Sequence, residues 1–377
     1  MIDSAGNREE TPTAKFDAAV VGATGIVGQQ FIVALRNHPW FRITCLAASE
    51  KSAGKTYEDA LRDPGSKALR WFCSEAPPEA ALEMTVQDAS ALNVSDVDVV
   101  FTALEADHAK KLEPTYAKHK PVISTASAFR YESDVPILVP GVNFAHAKLI
   151  HTQKRRRQWN GFVTPIPNCT TTGLVVSLKP IQDDFGIETV TMTSMQAASG
   201  AGRSPGVLAL DVTDNVIPFI PGEEEKVQTE TLKILGSESG GQVTPAEFRV
   251  SCTCTRVDVL EGHTEAVFVS THKPCDPNTI RDSMKRFGEN NKPDLPSAPE
   301  QLLVVNDDPF RPQPRLDRDA HGGMAVTVGR IRTDPARERG IKYLLVSHNT
   351  KLGAAKGAVL VAEYLAKSGY VSQQSNA

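Results

Sequence analysis

The sequence lacks any long hydrophobic run. None of its segments approaches the ~20 consecutive apolar residues that a membrane helix needs, so we expect no membrane association. Residues 1–15 are polar and contain no apolar signal core, which predicts a disordered tail. The chain also has no large excess of positive or negative charge, since the net charge is only −4. We therefore expect no nucleic-acid partner, and we interpret the single basic run, 154–157, as a solvated loop within an apparent insertion at 151–160.

Cysteine is sparse and shows no metal-binding spacing. The six residues are Cys45, Cys73, Cys169, Cys252, Cys254 and Cys275, without a CxxC pair. Cys252 and Cys254 share one face of a predicted strand, but a zinc site would need two further ligands. We therefore expect reduced thiols, no metal and a cytoplasmic location.

The first half of the chain alternates strand-like and helix-like segments. Strand candidates occupy 16–23, 41–49, 98–104 and 121–127, and a helix-like segment occupies 108–120. Short connections between such segments are typical of parallel strand–helix–strand units. The pattern predicts a Rossmann-type doubly wound α/β domain over 16–165, which binds the cofactor.

Strand-like segments dominate the second half. After a helix-like segment at 170–185, the strand candidates are 189–197, 247–259, 264–272, 323–331 and 341–348. Their period-two alternation predicts a mostly antiparallel sheet in an α+β domain over 166–348, which we interpret as the catalytic and dimerisation domain. The Pro-rich segment 292–314 is interpreted as a loop. A final helix in 349–370 is predicted to complete the first domain.

A glycine-rich turn, GATGIVG (22–28), follows the first strand directly and precedes a helix. Glycines permit a tight turn there, and the helix N–H groups can hold a dinucleotide pyrophosphate. A purely structural turn is the alternative, but the position after a first strand favours a nucleotide site. The candidate contacts in this turn are Gly22, Thr24, Gly25, Ile26, Val27 and Gly28.

The end of the second strand indicates which dinucleotide binds. An NAD enzyme usually places an acid there to bind the ribose diol. This chain has Ser49, Lys51 and Ser52, which could hold a 2′-phosphate, whereas Glu50 would oppose one. The balance favours NADP.

The segment PNCTT (167–171) predicts a cysteine at the start of a helix. There the dipole and unpaired N–H groups stabilise a thiolate, and the same groups with the Asn168 amide could receive an oxyanion. A buried structural cysteine is the alternative, but Pro, Asn and Thr are poor neighbours for a core. We therefore predict that Cys169 is a nucleophile.

A thiol nucleophile also needs a proton acceptor. Of the nine histidines, His263 is the best candidate because it lies in a turn between two predicted strands. Arg256 lies near the end of the preceding strand and could face the same end of the sheet as His263. A merely exposed loop histidine is the alternative.

Together these segments resemble the aspartate-semialdehyde dehydrogenase family, in a form closer to its archaeal and fungal branch. The similar stretches are 22–28, 47–55, 124–130, 167–173, 196–202, 217–236, 255–263, 311–330 and 348–359, in the family's order along nearly the whole chain. The resemblance implies NADPH-dependent reduction of L-aspartyl 4-phosphate to L-aspartate 4-semialdehyde, through a thioester on the cysteine. It also implies a dimer or tetramer and a place in lysine, methionine and threonine synthesis.

The resemblance further implies a role for each matching residue. Cys169 would be the nucleophile, His263 the acid/base, and Gln196 would orient the acyl intermediate. Arg256 would bind the substrate carboxylate, Glu223 its ammonium, and Arg130 and Lys226 the phosphate. Gly202, Asn349 and Gly353 would lie near the cofactor. One departure, Thr125 where the family often has Asn, leaves the detail of the phosphate site open.

Three alternatives follow from the same residues. A malonyl-CoA reductase would share the scaffold and is the hardest to separate. An N-acetyl-glutamyl-phosphate reductase would have no free ammonium for Glu223 to meet. A non-catalytic dinucleotide sensor would not need Cys169.

Overall fold

The computed structural model describes residues 14–202 and 207–373. The expected disordered tail falls almost entirely on residues 1–13, outside these ranges. Within them, no helix is both long enough and apolar enough to cross a membrane. The described strands form a six-stranded sheet, a seven-stranded sheet and a two-stranded hairpin.

All strands of the first sheet are parallel, and the first strand of the chain lies in the middle of the sheet. Its strands are β1 (Phe16–Val21), β2 (Phe41–Ala48), β3 (Val86–Asp88), β4 (Val99–Thr102), β5 (Pro121–Ser124) and β6 (Phe162–Pro165), in the spatial order β3-β2-β1-β4-β5-β6. The order reverses between β1 and β4, and the crevice at such a reversal is where doubly wound sheets bind ligands. The Rossmann-type prediction is confirmed. The sequence did not indicate β3 or β6, which are three and four residues long.

Helices cover this sheet. They are α1 (Ile26–Ala34), α2 (Tyr57–Leu61), α3 (Glu79–Leu82), α4 (Ala106–Ala117) and α5 (Leu149–Arg157). The glycine-rich turn leads from β1 directly into α1, so that the first turn of α1 faces the crevice beyond the carboxyl ends of the strands.

The basic run is not a solvated loop, and that prediction is wrong. Residues 154–157 form the last turn of α5, where basic side chains complement the helix dipole. Arg157 Nε lies 2.6 Å from Asp134 Oδ2, and its guanidinium stacks over the Trp159 ring. One arginine of the run therefore holds α5 against the rest of the domain.

The second sheet is mixed, and antiparallel pairings predominate. Its region contributes β7 (Ile187–Gln196), β8 (Val216–Ile217), β9 (Ser237–Ser239), β10 (Gln242–Thr244), β11 (Arg249–Val257), β12 (His263–Thr271), β13 (Leu303–Asn306), β14 (Val326–Thr333) and β15 (Gly340–Ser347). The sheet order is β13-β14-β15-β12-β7-β11-β8, while β9 and β10 form the hairpin. Only β11–β7 and β13–β14 are parallel. The α+β prediction for this half is confirmed.

The remaining helices connect the two sheets and cover the second. They are α6 (Cys169–Phe185), α7 (Ala209–Val212), α8 (Glu223–Ile234), α9 (Pro277–Asn290), α10 (Pro314–Asp317) and α11 (Ala355–Lys367). The segment 292–314 is not entirely a loop as predicted. It contains β13, whose Leu303 is buried and pairs with Val326 of β14.

Two helices join the halves of the molecule. α6 starts just beyond β6 and packs against β12, β15 and α9, with Leu174 and Leu178 fully buried. α11 returns to the first sheet and packs on α1 and β5. Its buried Glu363 lies 2.8 Å from His38 Nε2. The start of α6 is consequently held at the boundary between the sheets.

Candidate active site

Cys169 is the first residue of α6, and Asn168 caps that helix. The Asn168 side-chain oxygen accepts hydrogen bonds from the backbone N–H groups of Thr170 and Thr171, at 2.9 and 3.3 Å. Asparagine is a preferred N-cap because it satisfies donors that the helix leaves unpaired. The helix start predicted around Cys169 is confirmed, and the cap explains the asparagine before it.

Cys169 Sγ lies 3.2 Å from Nε2 of His263, the first residue of β12. The other ring nitrogen, Nδ1, accepts the backbone N–H of Ala197 at 3.0 Å. A neutral imidazole that accepts at Nδ1 carries its proton on Nε2. His263 therefore points an N–H at the sulfur, which stabilises a thiolate whenever one forms, and its role as the acid/base stays a prediction.

Burial disfavours the charged form of both members of this pair. Burial raises the pKa of the Cys169 thiol to about 12, and Glu223 raises it further, while Arg256 and Arg130 oppose the shift. Burial also lowers the pKa of His263 to about 3, and Arg256 contributes. Burial thus opposes the thiolate that the sequence predicts at this helix start.

Glu223, the first residue of α8, gathers three polar side chains. Its Oε1 accepts hydrogen bonds from Asn168 Nδ2 at 2.7 Å and from Gln196 Nε2 at 3.1 Å. Its Oε2 lies 3.7 Å from Lys226 Nζ. One of the two N–H groups of the Asn168 amide therefore donates to Glu223, and the oxyanion role of Asn168 stays a prediction.

Two arginines of the site, Arg256 and Arg130, are buried. Arg256, near the end of β11, donates to the Ala197 carbonyl at 2.8 Å and is 6% exposed. Arg130 donates to Glu230 at 3.0 Å and to the carbonyls of Ile166 and Thr125, each at 2.9 Å. Both guanidiniums line a cavity of about 810 Å³ that also contains Cys169, Glu223 and Lys226.

The glycine-rich turn opens into the same cavity. Thr24, Gly25, Ile26 and Val27 line it, as does Gly202 from the second half. Gly25 caps α1 without a side-chain hydrogen bond, which leaves the first N–H groups of α1 available to a phosphate.

Two further glycines shape this turn. Gly22 has φ +83°, and a Cβ at Gly28 would lie 2.1 Å from the Gly22 carbonyl oxygen. Only glycine allows this backbone path and close helix approach. The residues present therefore fit a dinucleotide.

The other predicted cofactor residues fall into two groups. In the first group, Gly353 lies beside the cysteine, since a Cβ added there would be 2.9 Å from Cys169 Cβ and 2.9 Å from the Asn349 carbonyl oxygen. Asn349 Oδ1 accepts the Gly262 N–H at 2.9 Å, and Nδ2 donates to Ser199 Oγ at 2.8 Å.

Ser49, Lys51 and Ser52 form the second group. They lie in the turn after β2, where the Ser52 N–H donates to the Ser49 carbonyl at 2.8 Å, and they do not line the cavity. Ser49 and Lys51 are exposed at the carboxyl edge of the first sheet.

Sequence reasoning did not identify two groups that shape the site. One is the backbone N–H of Ala197. Almost every residue type has this group, so no sequence pattern indicates it. The other is Glu230, fully buried on α8, which contacts both Arg130 and the Asn168 N–H. Its spacing of seven residues from Glu223 places the two on one helix face, and that signal could have identified it.

The fold and site define a dinucleotide-binding oxidoreductase with a cysteine–histidine pair. Two family models match the chain: the semialdehyde dehydrogenase NAD-binding domain over residues 17–150 and the semialdehyde dehydrogenase dimerisation domain over 178–352. The chain belongs to the semialdehyde dehydrogenase family, and it acts on an aldehyde.

Individual relatives agree with this assignment. The aspartate-semialdehyde dehydrogenase of Methanothermobacter thermautotrophicus is 47% identical, over 93% of this chain and 98% of that protein. The Saccharomyces cerevisiae enzyme of the same name is 41% identical over 92% and 97%. The archaeal and fungal resemblance seen in the sequence is confirmed.

Solved structures show the same likeness. The Candida albicans aspartate-semialdehyde dehydrogenase with NADP superposes with a TM-score of 0.84 at 38% identity, covering 94% of this chain and all of that one. Aspartate-semialdehyde dehydrogenase II from Vibrio cholerae gives 0.73 at 29% identity, covering 94% and 99%.

Proposed function

We propose that this protein is an aspartate-semialdehyde dehydrogenase, which reduces L-aspartyl 4-phosphate to L-aspartate 4-semialdehyde with NADPH. The observation that carries the proposal is the contact of 3.2 Å between Cys169 Sγ and His263 Nε2, in a cavity that also receives the glycine-rich turn. The names of the close relatives support the substrate.

Cys169 carries the covalent step. Its sulfur forms a bond to the acyl carbon while the bond from that carbon to the phosphate oxygen breaks, and the proton lost by the thiol leaves with the phosphate, so that a thioester and free hydrogen phosphate result. A bound NADPH would supply the hydride that converts the thioester carbon to an aldehyde. The Nε2–H of His263 stabilises the sulfur as an anion before attack and again when the aldehyde departs.

Charged side chains around the sulfur fix the substrate. Arg256 binds the α-carboxylate, because a planar guanidinium matches a carboxylate in two hydrogen bonds. Glu223 faces the α-ammonium, and Gln196, held by Glu223, orients the acyl group. Arg130 and Lys226 receive the phosphate. These groups hold both ends of a short amino acid, so that its reacting carbon is positioned at the sulfur.

The cofactor would lie along the carboxyl edge of the first sheet. The turn 22–28 would hold the pyrophosphate, and Ser49, Lys51 and Ser52 would hold the 2′-phosphate. Asn349, Gly353 and Gly202 would border the nicotinamide end. The three polar residues after β2 support a preference for NADP over NAD.

Assembly and location complete the proposal. A homodimer or homotetramer is supported by the match to a dimerisation domain, and the mass in solution tests it. A cytoplasmic location is supported by the six free cysteines, since reducing compartments preserve thiols.

Two assays on the purified protein decide the substrate. We expect phosphate-dependent reduction of NADP by L-aspartate 4-semialdehyde, and no NADPH consumption with malonyl-CoA. The Cys169→Ala variant should lose turnover while it still folds and binds NADP. Turnover only with malonyl-CoA, or full activity in Cys169→Ala, would overturn the proposal.

A further inference from the structure

Glu230 is a buried carboxylate that does not line the active-site cavity. It is 0% exposed and lies on α8, the helix that also carries Glu223 and Lys226. Burying a carboxylate is costly unless several donors compensate it. The identity of those donors indicates what Glu230 does.

The donors come from two loops that face the cavity. Glu230 Oε2 accepts the backbone N–H of Asn168, the residue before the nucleophile, at 2.7 Å. Oε1 accepts Arg130 Nη1 at 3.0 Å and the Tyr131 hydroxyl at 3.1 Å. Each oxygen therefore holds a different loop, and Arg130 also donates to the Ile166 carbonyl on the loop that leads to Cys169.

Three parts of the site are connected by this one carboxylate. They are the peptide that leads into Cys169, the guanidinium of Arg130, and the helix that presents Glu223 and Lys226. Asn168 and Arg130 both line the cavity, whereas Glu230 does not. It can thus affect chemistry only through the groups that it holds.

We infer that Glu230 is a positioning residue that sets the location of the phosphate-side guanidinium relative to the Cys169 sulfur. This inference rests on the proposed function, because it assigns Arg130 to the phosphate. A glutamine in its place offers only one oxygen, and its NH₂ group would face an N–H donor. One of the two loops would then lose its anchor while side-chain shape is preserved.

The test measures binding of inorganic phosphate separately from turnover. Iodoacetamide alkylates Cys169, and phosphate bound nearby should protect it. For Glu230→Gln we expect the half-protecting phosphate concentration to rise by about tenfold. We also expect kcat to fall by about tenfold or more, because small displacements of reacting groups are costly, and the KM for aspartate semialdehyde to change less than about twofold.

Two further variants make the result decisive. Glu225→Gln removes the same charge from an exposed position of α8 and should leave phosphate protection unchanged. Tyr131→Phe removes one donor to Glu230 Oε1 at a half-exposed site, so it should fold normally and shift phosphate protection in the same direction, by about twofold.

The outcomes separate the two claims. If wild-type protein fails to oxidise aspartate semialdehyde, the proposed function is wrong, yet the protection assay still reports on Glu230. Unchanged phosphate protection in Glu230→Gln and Tyr131→Phe, or no protection in the wild type, would overturn the positioning role. An equal rise in the half-protecting phosphate concentration and in the KM for aspartate semialdehyde would also contradict it, since general loosening of the active site predicts that pattern.

Discussion

At the scale of single residues, the site depends on a thiol that burial keeps protonated. Desolvation raises the pKa of Cys169, and the carboxylate of Glu223 adds to this shift. The substrate ammonium that we assign to Glu223 would cancel that carboxylate's charge. The sulfur would then become easier to ionise only when substrate binds. In the free enzyme the thiol would stay protonated and would react less with other electrophiles.

This coupling predicts a faster reaction in one variant. Glu223→Gln should increase the rate of Cys169 alkylation by iodoacetamide at pH 8 by about three- to tenfold, because removing the carboxylate lowers the thiol pKa. Glu225→Gln, two residues further along α8 and exposed, is the matched control and should react as the wild type does. A rate that is unchanged or slower in Glu223→Gln would show that Glu223 does not influence the sulfur.

Glu265 is a buried carboxylic acid that lies two residues beyond His263 on β12. Neither of its carboxyl oxygens has a hydrogen-bond partner among the described residues, and burial raises its pKa well above the usual value of 4.5. A carboxyl whose folded-state pKa is raised stabilises the fold fully only below its unfolded-state pKa. That contribution is lost as the pH rises toward the folded-state value.

Glu265→Gln should therefore gain stability relative to the wild type as the pH rises. The difference in unfolding free energy should grow by about 1.4 kcal/mol per pH unit above roughly pH 5, until the folded-state pKa is reached. Urea unfolding between pH 4 and 8 measures it, with Glu247→Gln as the exposed control. A difference that stays constant with pH would mean that Glu265 is ionised in the fold.

At the scale of elements, the start of α6 and the segment before α11 are packed in direct contact. Gly353 touches Cys169, and an added Cβ would also lie 2.9 Å from the Asn349 carbonyl oxygen. The nucleophile is therefore positioned from two sides, by the Asn168 cap and by Gly353.

Gly353→Ala should displace the nucleophile without unfolding the protein. We expect kcat to fall by about tenfold or more, because an inserted methyl group forces the helix start or the Asn349 segment to move. Gly65→Ala introduces the same methyl group at an exposed turn with ordinary space around it, and should retain full activity. Wild-type kcat in Gly353→Ala would show that the two segments can separate freely.

At the scale of the whole molecule, the cavity lies between the two sheets. Thr24 and Val27 of the first half and Arg256 and Glu223 of the second line it together. A ligand that contacts both halves binds only the folded protein, so it should stabilise the whole fold by mass action.

NADP should therefore raise the unfolding temperature, with a stabilisation of about 2.7 kcal/mol at a concentration one hundred times its Kd. NAD should raise it less. Lys51→Ala should remove most of the difference between the two, because Lys51 is exposed and its loss costs the fold little. Thermal unfolding with each dinucleotide measures this, and equal shifts for NADP in wild type and Lys51→Ala would exclude Lys51 from the 2′-phosphate site.

The sequence alone determined features that depend on neighbouring residues. The glycine turn, the strand before it and the helix after it follow from local periodicity and from φ angles that only glycine adopts easily. The same holds for Cys169 at a helix start, because Asn168 is a good N-cap. The two-domain fold was predictable for this reason, since its longer strands and helices each show a clear local pattern.

The tertiary structure decided whatever depends on burial or on distant partners. Only the packed molecule brings His263 to Cys169, or Glu230 to Arg130, because these pairs lie about a hundred residues apart in the chain. It also reversed two local expectations: the basic run became the end of α5, and the thiol became harder to ionise. The first reversal follows from the packing of Arg157 against Asp134 and Trp159, and the second follows from desolvation of the sulfur.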